Sequence, residues 1–237
     1  MVYILTFDNI VKLDLNSVYW VSKMFDENIS KSVHIPADSV VLEGDLEIPQ
    51  GSKALVIFAH GSGSSRHSKR NKYVAQALRE TGLGTLLFDL LTKEEDTIYE
   101  NRFNILLLTK RLLSTTRWVR EQTLTKKLKI GYFGASTGAA AALIAAIDPA
   151  AGISAIVSRG GRPDLAERAL EHVQSPTLFI VGGDDYVVIE LNQQAHKLMK
   201  AEKELRIIPG ASHLFEEPGT LEEVAHLAAE WFKKHLL

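Results

Sequence analysis

The sequence of 237 residues contains no cysteine. A chain without thiols forms no disulfide, binds no metal through thiolates and offers no cysteine nucleophile. This absence fits a reducing compartment, and we expect a cytoplasmic protein. The 27 basic and 29 acidic residues nearly balance, for a net charge of −2. Overall charge therefore gives no reason to expect binding to nucleic acid or to an anionic membrane surface.

Membrane spans, targeting segments and metal-binding patterns are also lacking. The apolar run 139–147 is too short to cross a bilayer. No positively charged leader precedes an apolar run at the N-terminus, so no signal peptide is predicted. The sequence has no H-E-x-x-H pattern and no dense cluster of histidine and aspartate. We therefore expect a soluble protein without a membrane partner, a metal or another cofactor.

From residue 31 onward, apolar segments of strand length alternate with segments of helix length. The run 55–59 is apolar throughout, which is typical of a strand buried on both faces. The alternation predicts an α/β fold in which a mostly parallel sheet carries helices on both faces. The predicted strands are 33–35, 40–48, 55–59, 85–88, 128–133, 153–157, 177–181 and 205–208, and the predicted helices are 73–80, 101–122, 139–147, 164–173, 189–201 and 220–236.

Residues 1–30 lack this clean pattern, and we interpret them as an N-terminal extension. No repeat, low-complexity tract or linker divides the remainder, so residues 31–237 are predicted to form one domain. The extension either adds an edge strand or docks as an arm, and an arm would favour a homodimer. Met24 offers an alternative start, in which case the extension is dispensable.

The segment 134–138 has the sequence G-A-S-T-G and lies between the predicted strand 128–133 and the predicted helix 139–147. A G-x-S-x-G motif in this context presents a serine nucleophile on a tight turn. The turn requires glycine because it leaves no room for side chains on either flank. It also places the backbone N–H of Thr137 at a helix N-terminus, which favours negative charge.

A serine hydroxyl is a weak nucleophile, so this interpretation requires a base and an acid to orient the base. Two adjacent aspartates, Asp184 and Asp185, follow the predicted strand 177–181. His213 follows the predicted strand 205–208. The chain order serine, aspartate, histidine is the order found when this motif occurs in an α/β sheet.

With these segments the chain resembles the α/β-hydrolases, and within them the dienelactone-hydrolase-like branch. The resemblance runs from about residue 31 to the C-terminus. It implies that Ser136 attacks a carbonyl, that His213 is the general base and that Asp185 orients the imidazole. The matching segments are 58–63 (F-A-H-G-S-G), 134–138 (G-A-S-T-G), 181–185 (V-G-G-D-D) and 210–213 (G-A-S-H).

The resemblance also implies an oxyanion hole formed by the N–H of Thr137 and the N–H of Ser62 or a neighbour. His60 precedes this loop and is expected to orient it. One feature departs from the family: the dienelactone hydrolases that name the branch use a cysteine, whereas this chain has Ser136. The serine is similar to that of general carboxylesterases, so dienelactone itself is not the expected substrate.

The choice of acid depends on spacing. In the relatives the acid follows Gly-Gly-x, which selects Asp185, and Asp184 then caps the next helix or is solvated. The remaining histidines are expected to be structural or at the surface. These are residues 34, 67, 172, 196, 226 and 235.

Basic residues cluster on two loops that should surround the site. Arg66 and Arg70 follow the oxyanion loop, and Arg159 and Arg162 flank a Gly-Gly pair after the strand 153–157. Because arginine pairs with carboxylate and phosphate in a fork geometry, these four residues predict a substrate with an anionic group. The structural alternative is pairing of Arg159 or Arg162 with Asp164, Glu167 or the acidic run 94–96.

The sequence thus predicts a cofactor-free serine hydrolase that cleaves a small carboxylic ester or lactone through an acyl-enzyme intermediate. One alternative is a non-catalytic α/β-hydrolase fold that binds a ligand or a protein partner. Another keeps the triad for perhydrolysis or for thioester or amide cleavage. The segment 90–104 is predicted to form a small flap, and no large lid is expected. Similar domains also occur beside phosphoribosyltransferase domains, although no G-x-x-x-x-G-K phosphate loop is present.

Overall fold

The computed structural model describes the backbone of residues 2–6 and 9–13 and the whole of residues 27–237. The two N-terminal ranges form strands β1 (Val2–Thr6) and β2 (Asn9–Leu13), which pair antiparallel. They make a two-stranded sheet of their own and are not strands of the main sheet. The alternative of an added edge strand is therefore wrong for these ranges. Met24 lies outside the described residues.

The main sheet has eight strands in the order β10-β9-β8-β7-β5-β6-β4-β3. Within this sheet, β3 pairs antiparallel with β4, and β4 pairs antiparallel with β6. All the other pairings are parallel. The strands are β3 (Ile29–Ala37), β4 (Val40–Ile48), β5 (Ala54–Ala59), β6 (Gly84–Phe88), β7 (Lys129–Ala135), β8 (Ile153–Arg159), β9 (Thr177–Gly182) and β10 (Lys203–Ile208).

Helices cover both faces of this sheet, and each face has its own hydrophobic core. The helices α1 and α6 pack on one face, and α3, α4 and α5 pack on the other. The prediction of a mostly parallel sheet between helices is confirmed. The helices are α1 (Lys69–Glu80), α2 (Lys93–Asp96), α3 (Ile105–Glu121), α4 (Thr137–Ala145), α5 (Tyr186–Leu198) and α6 (Thr220–Leu236), with 3₁₀ segments at Tyr99–Phe103 and Pro163–His172.

The strand order changes direction at β5, which has β6 on one side and β7 on the other. In open parallel sheets, such a switch point opens a crevice at the carboxyl ends of the strands. Here Ala59 at the end of β5 lies opposite Gly134 near the end of β7. The loop after β5 and the predicted nucleophile turn after β7 therefore meet at this crevice.

Two predicted helix boundaries differ from the structure because of polar caps. Helix α1 begins at Lys69 and not at residue 73, since the side chain of Ser68 accepts a hydrogen bond from the N–H of Asn71. The predicted helix 101–122 is divided into a 3₁₀ segment and α3 by Asn104, whose side chain accepts from the N–H of Leu107. Such caps satisfy N–H groups that have no partner within the helix.

The spacing of apolar residues in 220–236 predicts a buried stripe of seven residues, and the structure largely confirms it. The stripe consists of Leu221, Val224, Ala225, Ala228, Trp231, Phe232 and His235. Five of its seven residues are buried, Leu221 packs at the margin of the core, and the His235 side chain is 10% exposed. The five buried residues are Val224, Ala225, Ala228, Trp231 and Phe232.

Within the described part of the chain, no helix combines the length and apolar character that a bilayer span needs.

Candidate active site

The turn between β7 and α4 holds Ser136 in a strained conformation, with φ 49° and ψ −120°. Non-glycine residues rarely adopt positive φ, and such strain is typical of a serine presented on a strand-to-helix turn. A Cβ built on Gly134 would lie 2.4 Å from Ala139 Cα. One built on Gly138 would lie 2.2 Å from Ala59 O. Both glycines are thus required by close packing, as the sequence predicted.

The loop after β5 packs directly against this turn. A Cβ built on Gly61 would lie 3.0 Å from Ser136 Cβ and 3.2 Å from Ala135 O. Ser62, the next residue, therefore lies beside the serine turn. Thr137 is the first residue of α4, so its N–H is among the helix N-terminal donors without an intrahelical acceptor. The two predicted oxyanion-hole donors belong to segments in contact, and their role stays a prediction.

His60 is buried behind this loop and joins it to the segment that follows β6. Its Nε2 accepts a hydrogen bond of 3.0 Å from the N–H of Leu90. The proton must then be on Nδ1, which donates to Gly61 O at 2.9 Å. Burial lowers the pKa of His60, chiefly through desolvation of the charged form. A neutral imidazole thus ties the oxyanion loop to the segment after β6.

The neutral state of His60 predicts a pH-dependent stability. Because the folded-state pKa is below the unfolded value, the unfolded chain binds the proton first as pH falls, and stability is lost below about pH 6.5. In urea unfolding, we expect His60→Gln to lose less stability than the wild type between about pH 7.5 and about pH 5.5, by up to about 1.4 kcal/mol.

The matched control for this experiment is His172→Gln, because His172 is exposed. This variant should keep the wild-type dependence on pH. His235, whose pKa burial also lowers, is present in all three proteins and so does not affect the comparison. Equal pH dependence in the wild type and His60→Gln would contradict the assignment of a neutral His60.

His213 follows β10 and is held by the acid after β9. Its Nδ1 lies 2.6 Å from Oδ2 of Asp185, whose side chain is 16% exposed. Asp184 is exposed, and its backbone N–H donates to Ala211 O. The geometry therefore pairs the histidine with the aspartate that the Gly-Gly-x spacing selects. Asp184 does not cap α5, because Asp185 occupies the N-cap position.

Gly160 brings the histidine and serine segments together. A Cβ built on it would lie 3.4 Å from His213 Cε1 and 3.3 Å from His213 O. The preceding residue, Arg159, accepts a 3.3 Å hydrogen bond at its carbonyl from the N–H of Ser136. Among the described residues, no hydrogen bond joins Ser136 Oγ to His213. Such bonds are often long in free enzymes and shorten when substrate binds.

Asn192 supports the arrangement of the histidine and serine segments, although the sequence did not predict this role. Asn192 is fully buried in α5, and its Nδ2 donates to Gly161 O at 3.0 Å and to Val188 O at 2.8 Å. It links the helix that begins at Asp185 to the Gly-Gly loop that touches His213. A single asparagine inside an amphipathic helix carries no sequence signal for this role, since one of its two acceptors, Gly161 O, lies in a loop that is distant in the sequence.

Three of the four predicted substrate arginines pair with acids of the protein, and two of them do so through two or more contacts. Arg66 Nη2 lies 2.6 Å from Glu43 Oε2, and the same guanidinium also pairs with Asp89 and Asp45. Arg162 binds Asp164 through hydrogen bonds of 2.8 and 2.7 Å. This pairing is the structural alternative that the sequence left open for Arg162. Substrate binding by Arg66 and Arg162 stays a prediction. The structure does not favour it, because acids of the protein already occupy both guanidinium groups.

The other two arginines differ from this pattern. Arg70 forms one ion pair, of 2.9 Å, with the exposed Glu216. Arg159 is only 8% exposed, yet its Nε and Nη1 have no hydrogen-bond partner. Its Nη2 lies 3.4 Å from Oδ1 of Asn71, and its guanidinium lies 5.8 Å from the centre of the Phe215 ring. Burial and the neighbouring Arg70 charge lower the pKa of Arg159 to about 10.

The segment 90–104 lies beside the oxyanion loop and is held by ion pairs. A Cβ on Gly63 would lie 3.8 Å from Arg102 Nη1, and Arg102 binds Asp96 at 2.9 Å. Arg111 of α3 binds Glu95 at 2.5 Å. The Arg102–Asp96 pair lies within the predicted flap, and the Arg111–Glu95 pair ties the flap to α3; its closure over a substrate stays a prediction.

One of the described cavities adjoins the predicted site, and a larger one lies away from it. A cavity of about 270 Å³ adjoins the oxyanion loop and is lined in part by His60, Arg66 and Asp96. A larger one, of about 720 Å³, lies between β3, β4 and α1 and is lined by none of the predicted site residues. In the part of the chain that the structure describes, no group of three or more histidine and acidic residues could hold a metal ion.

Comparison with known proteins agrees with the fold. The chain is 55% identical over 206 residues to a Mycobacterium tuberculosis protein described as a putative phosphoribosyl transferase; the match covers 87% of this chain and 46% of that protein. A dienelactone hydrolase from Anabaena variabilis is 52% identical, with a TM-score of 0.86 over 89% of this chain and all of that one. A lidless α/β serine hydrolase from Xanthomonas campestris shares the fold at 21% identity, with a TM-score of 0.71 over 86% of this chain and 94% of that one.

The match at family level covers most of the chain. The model of the dienelactone hydrolase family matches residues 42–236, from β4 to the end of α6. That range contains every predicted site residue. The mostly parallel sheet between helices is consistent with this match. The chain therefore belongs to the dienelactone hydrolase family of the α/β-hydrolase superfamily.

Proposed function

We propose that this protein is a serine hydrolase that cleaves a small carboxylic ester or lactone through an acyl-enzyme intermediate. The observation that carries the proposal is the 2.6 Å contact between His213 Nδ1 and Asp185, next to a serine held at positive φ. With Nδ1 donating to the carboxylate, the free Nε2 is the acceptor that a general base needs. A strained strand-to-helix turn of this kind presents the serine hydroxyl to a substrate carbonyl.

In the acylation step, Ser136 Oγ bonds to the carbonyl carbon and its proton passes to His213 Nε2. The N–H groups of Thr137 and Ser62 stabilise the negative oxygen, each contributing about 3 kcal/mol. When the tetrahedral intermediate collapses, the carbon–oxygen ester bond breaks and His213 returns the proton to the leaving alkoxide. Water then repeats the sequence on the acyl-enzyme and releases the acid. For a lactone, the alcohol stays attached to the acyl chain.

The Mycobacterium relative bears a transferase description, yet this chain corresponds to 46% of its length. We propose that the part shared with this chain contributes hydrolysis, and that a phosphoribosyl transfer activity belongs to the rest of that protein. Two observations support this division. In this chain the aligned part carries the dienelactone hydrolase family match, and its His213 lies 2.6 Å from Asp185, as a general base and its orienting acid would.

Covalent labelling tests the proposed nucleophile. A fluorophosphonate should add once to the wild-type protein, with loss of fluoride, and should not add to Ser136→Ala. Intact mass spectrometry measures the adduct. The control is Ser158→Ala, because Ser158 is buried on the neighbouring strand β8 and should not alter the stoichiometry.

If folded wild-type protein forms no adduct, the hydrolase proposal fails and a ligand-binding or partner-binding module takes its place. If the adduct forms, a panel of esters, lactones, thioesters and amides at matched acyl size identifies the bond that is cleaved. The ester or lactone should be turned over faster than the amide, whose amine leaving group is poorer.

A further inference from the structure

The Gly-Gly loop (residues 159–162), which follows β8, holds the backbone of the proposed nucleophile on two sides. The carbonyl of Arg159 accepts a hydrogen bond of 3.3 Å from the N–H of Ser136. At the other end of the loop, the N–H of Arg162 donates to Ser136 O at 3.1 Å. The serine turn and the Gly-Gly loop are therefore fixed to each other through both backbone groups of Ser136.

The same loop packs against the imidazole of the proposed base. A Cβ built on Gly160 would lie 3.4 Å from His213 Cε1 and 3.5 Å from His213 Nδ1. On its other side the loop packs closely on β8, since a Cβ built on Gly161 would lie 2.0 Å from Ser158 Oγ. The position of the loop thus affects how the imidazole faces Ser136.

The side chain of Asn192 fastens this loop to the helix of the proposed acid. Asn192 lies in α5, whose N-cap residue is Asp185. Its Nδ2 donates to Gly161 O at 3.0 Å and to Val188 O at 2.8 Å. Among the described residues, no other group donates to Gly161 O. A single amide therefore holds the helix that begins at Asp185 against the loop that packs on His213.

Asn192 is an unusual residue for its position. The other buried residues of α5, Val188 and Ala195, are apolar. Asn192 is fully buried, and its Oδ1 has no hydrogen-bond partner among the described residues. An unpaired buried oxygen is unfavourable, whereas a leucine has the same branched shape and no polar atom to leave unpaired. Local choices that oppose stability in this way are expected where function constrains the residue.

We infer that Asn192 is a positioning residue of the hydrolase site, which fixes the His213 imidazole between Ser136 and Asp185. This inference rests on the proposed function and adds a residue to it. Because Asn192 is buried, it touches neither the substrate nor the reacting atoms, and it acts through the Gly-Gly loop and α5. A misplacement of about 1 Å at the reacting groups can lower a rate about 100-fold, so such a support has a kinetic effect.

A purely structural role for Asn192 makes a different prediction. If its hydrogen bonds only stabilise the fold, loss of the amide should lower the free energy of unfolding, and the folded protein should keep its turnover. If Asn192 positions the base, turnover should fall in fully folded protein, through kcat and not through KM. Asn192→Leu separates the two roles, because leucine keeps the branched shape and removes the donor.

The kinetic test measures kcat and KM for 4-nitrophenyl acetate, with circular dichroism to establish folding. We expect Asn192→Leu to lower kcat by about 10- to 100-fold, with KM changed less than about 3-fold. Asn192→Ala also lacks the donor and needs no extra space, so it replaces the leucine variant if that variant does not fold. The control Gln193→Leu removes an exposed amide one position along α5 and should keep the wild-type constants.

The tautomer of His213 gives a result that does not depend on hydrolysis. Nitrogen NMR of protein with isotope-labelled histidine measures it, and comparison with His213→Gln assigns the signal. Wild type should show neutral imidazole protonated at Nδ1, as the 2.6 Å contact with Asp185 favours. Asn192→Leu should show a mixture with the form protonated at Nε2, because the imidazole and the carboxylate are no longer held in place.

These outcomes separate the inference from the proposed function. Wild-type kcat and an unchanged tautomer in Asn192→Leu overturn the inference, even when Ser136 is labelled and the ester is cleaved. A loss of kcat with an unchanged tautomer, or an equal loss in Gln193→Leu, also overturns it. If wild type is not labelled at Ser136 but the tautomer changes in Asn192→Leu, only the proposed function fails.

Discussion

Asp185→Asn should lower kcat for an activated ester by about 10⁴-fold, with little change in KM. The carboxylate of Asp185 lies 2.6 Å from His213 Nδ1 and accepts a hydrogen bond from its N–H, which keeps the proton on Nδ1 and leaves Nε2 free to act as the base. An asparagine at this position can present its NH₂ group to Nδ1, so the imidazole then carries its proton on Nε2. That tautomer cannot accept the proton of Ser136, although the fold and the shape of the site are preserved.

The neighbouring residue provides the matched control. Asp184→Asn removes the same charge one position earlier, on an exposed side chain that does not contact His213. It should retain turnover within about 3-fold of the wild type, as is usual for surface substitutions. Steady-state kinetics on the three proteins, with circular dichroism to establish folding, measures the difference. Equal losses in both variants, or a larger loss in Asp184→Asn, would reject Asp185 as the residue that orients the base.

Gly138→Ala should destabilise the protein by about 3 kcal/mol or more, or prevent folding. The added Cβ would lie 2.2 Å from Ala59 O and 2.4 Å from His60 O. Both contacts are to backbone atoms at the end of β5, so no side chain can move aside. The strain falls between the serine turn and the oxyanion loop, and ester turnover should therefore be lost together with stability.

Gly82→Ala separates this clash from the general cost of replacing a glycine. Gly82 has a φ of 86°, but no atom lies within 4 Å of a Cβ built there. Only the positive φ opposes alanine at this position, at a cost of about 1–2 kcal/mol. Urea unfolding of both variants and the wild type compares the two effects. A free-energy loss in Gly138→Ala no greater than in Gly82→Ala would mean that the serine turn does not depend on close contact with β5.

Much of the architecture follows from local patterns along the chain. Strand β5 could be predicted because burial on both faces requires every residue to be apolar. Helix α6 could be predicted because burial of one face requires apolar residues at helical spacing. The serine turn was predictable because two glycines and a serine must occupy fixed positions in a tight strand-to-helix connection. The division of the predicted helix 101–122 was missed, since the capping Asn104 lies within an otherwise helical segment.

The sequence by itself determined the fold class, the predicted serine, histidine and aspartate, and the number of arginines near the site. Only the tertiary structure decided which of these arginines are neutralised. Arg66 meets Glu43 and Asp89 because β4 pairs with β6, whereas Arg159 projects from β8 toward a turn of α1 that offers only Asn71. The physical reason is that an ion pair depends on which strands and helices lie side by side, and strand order is not encoded in any local pattern.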